Sequence, residues 1–220
     1  MTMENTLTPE PPAIPPLPPA TGSASRSEYN IIYADPPWPF GNRMYSSNKN
    51  DHHVEMSRHY PVMNCKDIAA LPVKNIVAED AICLMWSTDA HLKQAIETME
   101  AWGFKYKTVA FIWLKKEASG KPVCFMGCWT MKQAEIVILG TRGTMTKHLK
   151  SRKVRQLVEA PRDRKRHSGK PAAVREKITE MFGDMPRLEM FARIKTPGWD
   201  VWGNELANDV ELVTQNAKVS

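Results

Sequence analysis

Residues 29–38 read Tyr-Asn-Ile-Ile-Tyr-Ala-Asp-Pro-Pro-Trp. The first six are mostly apolar and rich in β-branched and aromatic side chains, a pattern typical of a buried strand. Pro36 and Pro37 lack a backbone N–H and cannot extend a sheet ladder, so we expect the chain to leave the sheet at Asp35. A carboxylate, two proline carbonyls and the ring of Trp38 would then lie at the carboxyl end of a strand, where open α/β sheets bind ligands.

The exocyclic amino group of a planar base would fit such a cluster. Asp35 can accept one N–H and the carbonyl of Pro36 can accept the other, and both acceptors favour the positive charge that grows on nitrogen as it attacks an electrophile. The ring of Trp38 can stack on the base. The same four residues also fit a strand followed by a rigid turn with an aspartate cap, so by themselves they do not decide between the two interpretations.

Strand and helix patterns alternate along the rest of the chain. Strand-like apolar runs follow at residues 81–86, 109–114, 135–139, 187–192 and 199–202. Helical patterns with one apolar face begin near Asn64, Ser87 and Pro171. Alternation of this kind predicts an α/β fold with a parallel sheet.

We expect one domain with a tail at each end. Residues 1–27, which are rich in proline, predict a disordered arm because such a segment favours extended structure and cannot bury a core. The domain is expected at residues 28–206 and a C-terminal tail at 207–220. Within the domain, the polar residues 41–53 predict a loop beside the ligand-binding edge.

The charge balance favours an anionic partner. Lys and Arg number 30 against 24 Asp and Glu, and the sequence pI is about 9.1, which favours nucleic acid before a membrane surface. Basic side chains are densest in residues 141–170, a pattern that fits either a solvated loop or a phosphate-contact surface. In the second case Arg162, Arg164 and Arg166 are candidate phosphate ligands.

Two further classes are disfavoured. No apolar run approaches the length of a membrane span and no signal sequence follows the N-terminus, so we expect a cytoplasmic protein. The two cysteines that lie close together, Cys124 and Cys128, form a Cys-x3-Cys pair without a second pair. That spacing does not favour zinc, and we expect no metal.

Four motifs occur in a fixed order: Asp-Pro-Pro-Trp at 35–38, His-Ser-Gly-Lys-Pro at 167–171, Leu-Glu-Met-Phe-Ala-Arg at 188–193 and Pro-Gly-Trp-x-x-Trp-Gly-Asn-Glu at 197–205. Together they resemble the adenine-N6 methyltransferase family of the eukaryotic mRNA methyltransferase catalytic subunit and its bacterial and phage relatives. The resemblance implies a Rossmann-like methyltransferase with a mostly parallel central sheet. It also implies a circularly permuted order, in which the catalytic strand precedes the cofactor strands.

The resemblance also implies roles for individual residues. The catalytic group would be Asp35, Pro36, Pro37 and Trp38. S-adenosylmethionine would be the cofactor, held by Lys170, Glu189, Arg193, Asn204 and Glu205. Lys170 would meet its methionine carboxylate or an adjacent group. On the acceptor side, Tyr60 and Glu135 match positions near the target base.

The predicted activity is methyl transfer to the N6 amino group of adenine in nucleic acid. DNA is favoured over RNA because the single compact domain lacks added RNA-binding modules, and a duplex substrate would have to flip its adenine out. The alternatives are a non-catalytic nucleic-acid-binding partner with the same fold, and an N-methyltransferase for glutamine or asparagine amides. A homodimer or a second subunit is compatible with each, and a bacterial or phage-infected cell is the expected setting.

Overall fold

The computed structural model describes residues 28–39, 63–127, 129–163 and 169–212. In these ranges the strands are β1 (Tyr29–Ala34), β2 (Val77–Ser87), β3 (Lys105–Lys116), β4 (Ala134–Arg142), β5 (Leu157–Pro161), β6 (Arg187–Met190) and β7 (Asp200–Trp202). The α-helices are α1 (Cys65–Ala70), α2 (Leu92–Ala101) and α3 (Ala172–Phe182), with 3-10 helices at Val73–Asn75, Asp89–His91 and Met145–His148. The predicted N-terminal arm and the predicted loop at 41–53 lie outside the described residues.

The strands form one sheet in the order β5-β3-β4-β2-β1-β6-β7. β1 pairs in parallel with both β2 and β6, β7 continues the parallel pairing beyond β6, and β5 is parallel to β3. The α/β class and the mostly parallel sheet are therefore confirmed. Strand β1 precedes β6 and β7 in the chain and lies beside β6, as the permuted order requires.

Strand β4 departs from the alternation that the sequence suggests. It runs antiparallel to both of its neighbours, β2 and β3. The reason is local, because no helix separates β3 from β4, and a parallel return needs a long crossover. This reversal places the start of β4 at the same sheet edge as the carboxyl ends of the parallel strands.

Strand β5 was not predicted. It lies within the basic stretch at residues 141–170, and only Val158 of its five residues is buried, so its apolar signal is weak. Its pairing with β3 splits the basic stretch between opposite edges of the sheet. Lys147, which precedes β5, forms an ion pair with Asp80 at the edge opposite the strand ends, whereas Arg162 follows β5 at the carboxyl edge.

Helices cover both faces of the sheet. Successive residues of β1 point to opposite faces, so β1 packs against helices on both sides. Ile32 packs in one core cluster with Ile68 of α1 and Met99 of α2, whereas Ile31 packs in a second cluster with Ile178 of α3. Both faces of β1 are thus held, and the residue that follows it is fixed at the edge. No helix in the described ranges is long and apolar enough to cross a membrane.

The C-terminal limit of the domain, predicted at residue 206, is not sharp in the structure. Val210 is buried in the core cluster on the α1 and α2 side. The carboxylate of Asp209 accepts a hydrogen bond of 2.8 Å from the backbone N–H of Val201 in β7. Packing therefore continues past residue 206, and residues 213–220 lie outside the described ranges.

Candidate active site at the carboxyl edge of the sheet

The candidate site lies where β1, β4 and the approach to α3 meet. Asp35 directly follows β1, and Glu135 is the second residue of β4, which starts at this edge because it is antiparallel. Lys170 precedes the first residue of α3 by two positions. Three charged residues from distant parts of the chain thus converge at the edge that the Asp-Pro-Pro-Trp motif indicated.

Lys170 joins the two carboxylates. Its ammonium nitrogen lies 2.9 Å from a carboxylate oxygen of Asp35 and 3.3 Å from one of Glu135, and its side chain is only 8% exposed. The same ammonium lies 5.4 Å from the ring centre of Trp86, a cation–π distance. Lys115 at the end of β3 forms a second ion pair with Glu135. A chain of alternating charges therefore runs from Asp35 to Lys115.

The pKa values of this cluster follow from burial and from the neighbouring charges. Burial raises the pKa of the Asp35 carboxyl, and the attraction of Lys170 only partly offsets this. Burial alone would raise the pKa of Glu135 as well, but the ammonium groups of Lys170 and Lys115 outweigh it and hold that pKa below its usual range. Burial opposes the charge of Lys170, yet its two carboxylate partners raise its pKa. Asp35 is thus the member of the cluster that is poised to take up a proton.

The proline turn after Asp35 keeps an acceptor in place. The Trp38 backbone N–H donates to the carbonyl of Pro36 at 2.8 Å, and the Met63 N–H donates to the carbonyl of Pro37 at 3.1 Å. A carbonyl oxygen has two lone pairs, so Pro36 can accept one more hydrogen bond. The turn is therefore consistent with the expected role of the Pro36 carbonyl.

Trp38 has contacts other than the predicted base stacking. The residue is 7% exposed. One face of its ring stacks on the His91 ring, with 5.9 Å between the two ring centres, and its indole N–H donates to the carbonyl of Trp86 at 3.0 Å. An indole buried in this way fastens the turn to the end of β2. Stacking of the ring on the base stays a prediction, and the observed contacts are those of a side chain that holds the turn after Asp35 in place.

A cleft opens beside the charged cluster toward β6. Its lining includes Asp35, Lys170, Arg175, Glu189 and Arg193, with Gly169, Phe191, Ile194 and Asp163 completing the wall. Arg175 of α3 and Glu189 of β6 form a buried bidentate pair, with one bond of 2.7 Å. The predicted cofactor residue Glu189 thus lies in the wall of the cleft, held there by an arginine that the sequence did not single out.

The segment after β6, which lines the cleft through Arg193, contacts the segment after β7. Arg193 donates to a carboxylate oxygen of the exposed Glu205 at 3.0 Å, and Asn204 beside it is exposed. A Cβ atom at Gly203 would lie 2.5 Å from the carbonyl oxygen of Ala192, so only glycine allows β7 to leave the sheet so close to this segment. The predicted residues Arg193, Asn204 and Glu205 are therefore neighbours in space.

Only some of the residues predicted to contact the substrate lie within the described ranges. Tyr60, Arg164 and Arg166 lie outside the described residues. Arg162 lies at the carboxyl edge and donates to Glu117 at 2.8 Å. The predicted phosphate-contact surface can therefore include only the end of the basic stretch, since β5 carries its beginning to the opposite edge.

Lys115 and Arg175 are two charged residues of this site that sequence reasoning missed. Lys115 ends a strand pattern and is followed by Lys116, so the pair looked like ordinary surface charges. Arg175 lies between the apolar residues of α3, where an exposed position was the natural expectation. The available signal for both residues was their place in the sequence, near the end of a strand or the start of a helix at the carboxyl edge.

Comparison with known proteins gives a consistent result. The MT-A70 family model matches residues 29–205. The chain is 39% identical over 202 residues to the type II methyltransferase M.MunI from Mycoplasma sp, which covers 86% of this chain and 83% of that protein. It is 28% identical to the N6-methyladenosine RNA methyltransferase MTA1 of Pyricularia oryzae and to the human N(6)-adenine-specific methyltransferase METTL4. The chain aligns with 83% and 82% of its own length to these two, but with only 48% and 38% of theirs.

Proposed function

Since this chain belongs to the MT-A70 family, we propose that it methylates the N6 amino group of adenine in DNA, with S-adenosylmethionine as the methyl donor. The observation that carries the proposal is the contact of Lys170 with both Asp35 and Glu135 at the carboxyl edge. A fold that only binds nucleic acid needs no buried chain of charges beside a carboxylate with a raised pKa. An enzyme that must accept a proton from an amino group does need one.

The residues of the cleft fit the proposed cofactor. Its wall combines cationic and anionic side chains with the apolar Phe191 and Ile194. Such a donor set suits a ligand that carries a carboxylate, an ammonium group, a ribose and a flat base. When bound, S-adenosylmethionine would supply an electrophilic methyl group. In this proposal Lys170, Glu189, Arg193, Asn204 and Glu205 hold it.

The chain's own residues then act on the acceptor. Asp35 accepts one N–H of the amino group and the second lone pair of the Pro36 carbonyl accepts the other, so both stabilise the positive charge that grows on nitrogen. One proton leaves that nitrogen in the net reaction, and the raised pKa of Asp35 makes its carboxylate the better base. Lys170 and Glu135 keep Asp35 in place, and Trp38 holds the turn.

We propose DNA as the substrate because of how much of each relative's length this chain matches. The relative named as a type II methyltransferase matches this chain over most of both proteins, whereas the two relatives named for RNA or adenine methylation are matched over half of their length or less. In a duplex the target adenine is paired through N6, so it has to leave the stack before reaction.

The test is methyl transfer from labelled S-adenosylmethionine to three substrates: duplex DNA, RNA and a protein extract. We expect label in DNA, recovered as N6-methyl-2′-deoxyadenosine after enzymatic digestion to nucleosides. Label in RNA alone would show that the substrate is RNA and not DNA. Label in protein would favour amide methylation, and no label in any of them would favour a non-catalytic partner.

Glu205 is expected to recognise the ribose of the cofactor. A carboxylate can accept both ribose hydroxyls, and loss of a hydrogen bond to a charged group costs about 1.5 to 3 kcal/mol, so Glu205→Ala should raise the Kd of S-adenosylhomocysteine about ten- to a hundredfold. Calorimetry with this product and with its 2′,3′-dideoxy analogue measures the effect. Binding of the analogue should barely respond, and the exposed Glu211→Ala serves as a matched control. Equal weakening of both ligands would show that Glu205 acts only on Arg193.

The end of the basic stretch is expected to bind phosphates. Replacing Arg162, Arg164 and Arg166 by Gln should flatten the slope of log K against log salt by about 0.7 to 0.9 for each phosphate that is no longer neutralised. The control is the triple Gln variant of Arg152, Lys153 and Arg155, which precede β5 at the opposite edge. Fluorescence anisotropy with labelled duplex DNA at several salt concentrations measures both slopes. Equal slopes for the two variants would contradict a directed phosphate surface.

A further inference from the structure

The connection between β3 and β4 carries a group of exposed apolar side chains that the proposed reaction does not use. We call residues 117–133 the β3–β4 loop. Within it, Phe125 and Lys132 pair through two backbone hydrogen bonds of 2.8 and 2.7 Å, and we call the described residues between them, 126–127 and 129–131, the tip. In the tip, Met126 is 90% exposed, Trp129 89% and Met131 57%. Three exposed large apolar side chains within one short segment favour a contact surface.

The base of the β3–β4 loop is fixed to the candidate active site on one side. Lys115 pairs with Glu135, and its ammonium lies 5.5 Å from the ring centre of Phe125. The guanidinium of Arg162 lies 5.7 Å from the same ring. The chain of charges that starts at Asp35 therefore ends under the loop.

The other side of the β3–β4 loop is fixed to the segment that holds the Asp-Pro-Pro-Trp turn. Lys132 forms an ion pair with Asp89, which begins the 3-10 helix that carries His91. His91 in turn stacks on Trp38. The tip is therefore held beside the acceptor edge by contacts on both sides.

The charge of the β3–β4 loop indicates what the tip meets. Residues 118–133 contain Lys121 and Lys132 and no acidic residue, although Lys132 is paired with Asp89 and, at the base, Lys116 and Arg162 are paired with Glu159 and Glu117. Exposed apolar side chains on a chain with a formal net charge of +6 match a ligand with an anionic exterior and an apolar interior of stacked rings. A base stack between two phosphate backbones has this character, and apolar or aromatic side chains are known to enter such stacks as wedges.

We propose, on the basis of the proposed function, that Trp129 enters the base stack of duplex DNA and occupies the space that the target adenine vacates when it turns into the active site. Flipping a base out of a duplex loses its stacking and its pairing. An indole that stacks on the neighbouring bases restores part of that loss. The role follows from where the tip stands, on the same edge as Asp35.

Activity on two forms of one substrate tests the insertion. A random-sequence oligonucleotide pool is methylated either as a duplex or single-stranded, and stacking on bases is worth about 1 to 3 kcal/mol. Trp129→Ala should therefore lower kcat/KM on the duplex about ten- to a hundredfold. The variant should leave activity on single strands within about twofold, because no duplex has to be opened there. Trp129→Phe should keep most of the duplex activity, and Leu157→Ala, which removes a half-exposed apolar side chain on β5, should change neither.

Tryptophan fluorescence gives a second readout that does not depend on turnover. The chain has seven tryptophans, all within the described residues, and the six others are at most 7% exposed. The emission that acrylamide can quench should therefore come from Trp129, and it should fall when duplex DNA binds in the presence of S-adenosylhomocysteine. In Trp129→Phe no such fraction should exist.

Several results would overturn the proposal. Equal loss of activity on both pools would make the tip a general stacking surface, and no loss on the duplex would remove Trp129 from flipping. If the wild-type protein methylates only the single-stranded pool, it opens no duplex and needs no wedge. Sedimentation that changes from dimer to monomer in Trp129→Ala would assign the tip to a second copy of the chain. If the wild-type protein methylates no nucleic acid, the proposed function fails, and the fluorescence measurement then decides the insertion by itself.

Discussion

Asp35→Asn should lower kcat for methyl transfer by about a hundred- to a thousandfold, the usual effect of removing one group that stabilises a transition-state charge. The asparagine keeps the size of the side chain and its ability to accept one hydrogen bond. It loses the negative charge that stabilises the growing positive charge on nitrogen, and it loses the capacity to accept a proton. The Kd of S-adenosylhomocysteine should stay within a few-fold, because in the proposal this carboxylate acts on the acceptor amine.

A methylation assay and calorimetry, run on the same preparation, separate these two effects. Glu117→Gln is the matched control, since Glu117 follows β3 at the same sheet edge and is paired with a cation, Arg162. That variant should keep kcat near the wild-type value. Wild-type turnover in Asp35→Asn would remove Asp35 from the mechanism, and a parallel loss in Glu117→Gln would mean that the assay reports the charge of the edge in general.

The position of Asp35 could be predicted from sequence because the evidence for it is local. An apolar run followed by two prolines has to leave a sheet, whatever the rest of the chain does. The predicted starts of α1 and α3 are also close to those observed, and α3 ends at Gly183, whose φ of 72° suits glycine. The α/β class followed from the spacing of these elements.

The partners of Asp35 could not be derived in the same way. Glu135 joins Lys170 and Asp35 only because β4 is reversed, and no local pattern distinguishes an antiparallel strand from a parallel one. The resemblance placed Lys170 near the cofactor, and it gave no ion pair with Asp35. Pairing between distant segments depends on the topology of the sheet, which the residue patterns left open.

The contacts of Trp38 and the existence of β5 illustrate a second limit of prediction from sequence. A tryptophan at a strand end can stack on a ligand or pack on a neighbour, and His91, which it meets, is far away in the sequence. Strand β5 is at the edge of the sheet with one buried residue, so its sequence resembles the charged loop around it. Both were decided by tertiary contacts.

Lys170→Met should destabilise the fold by about 3 kcal/mol at neutral pH, near the lower end of the cost of removing one partner from a buried ion pair. The methionine fills the space of the lysine stem but leaves Asp35 without this ammonium. The lower end of the range applies because the Asp35 side chain is 29% exposed and water can compensate in part. Chemical denaturation measures the change.

The pH dependence of this destabilisation has a defined sign. Burial already raises the pKa of Asp35, and Lys170 opposes that rise, so its removal moves the pKa further above the unfolded value. A carboxyl whose pKa is raised on folding costs stability where it is ionised in the unfolded chain. The destabilisation should therefore be greatest at neutral pH and should shrink as the pH falls toward the ordinary carboxyl range.

The catalytic effect of Lys170→Met should run the opposite way with pH. Methyl transfer needs ionised Asp35, so the acid limb of the rate profile should move to higher pH and the residual activity should recover as the pH rises. Lys116→Met is the matched control, because Lys116 lies at the same edge in a more exposed pair with Glu159. Exposed pairs contribute less than about 1 kcal/mol, so this variant should change neither property. A Lys170 variant that is equally unstable at all pH values, with an unmoved acid limb, would mean that Lys170 contributes packing alone and does not set the ionisation of Asp35.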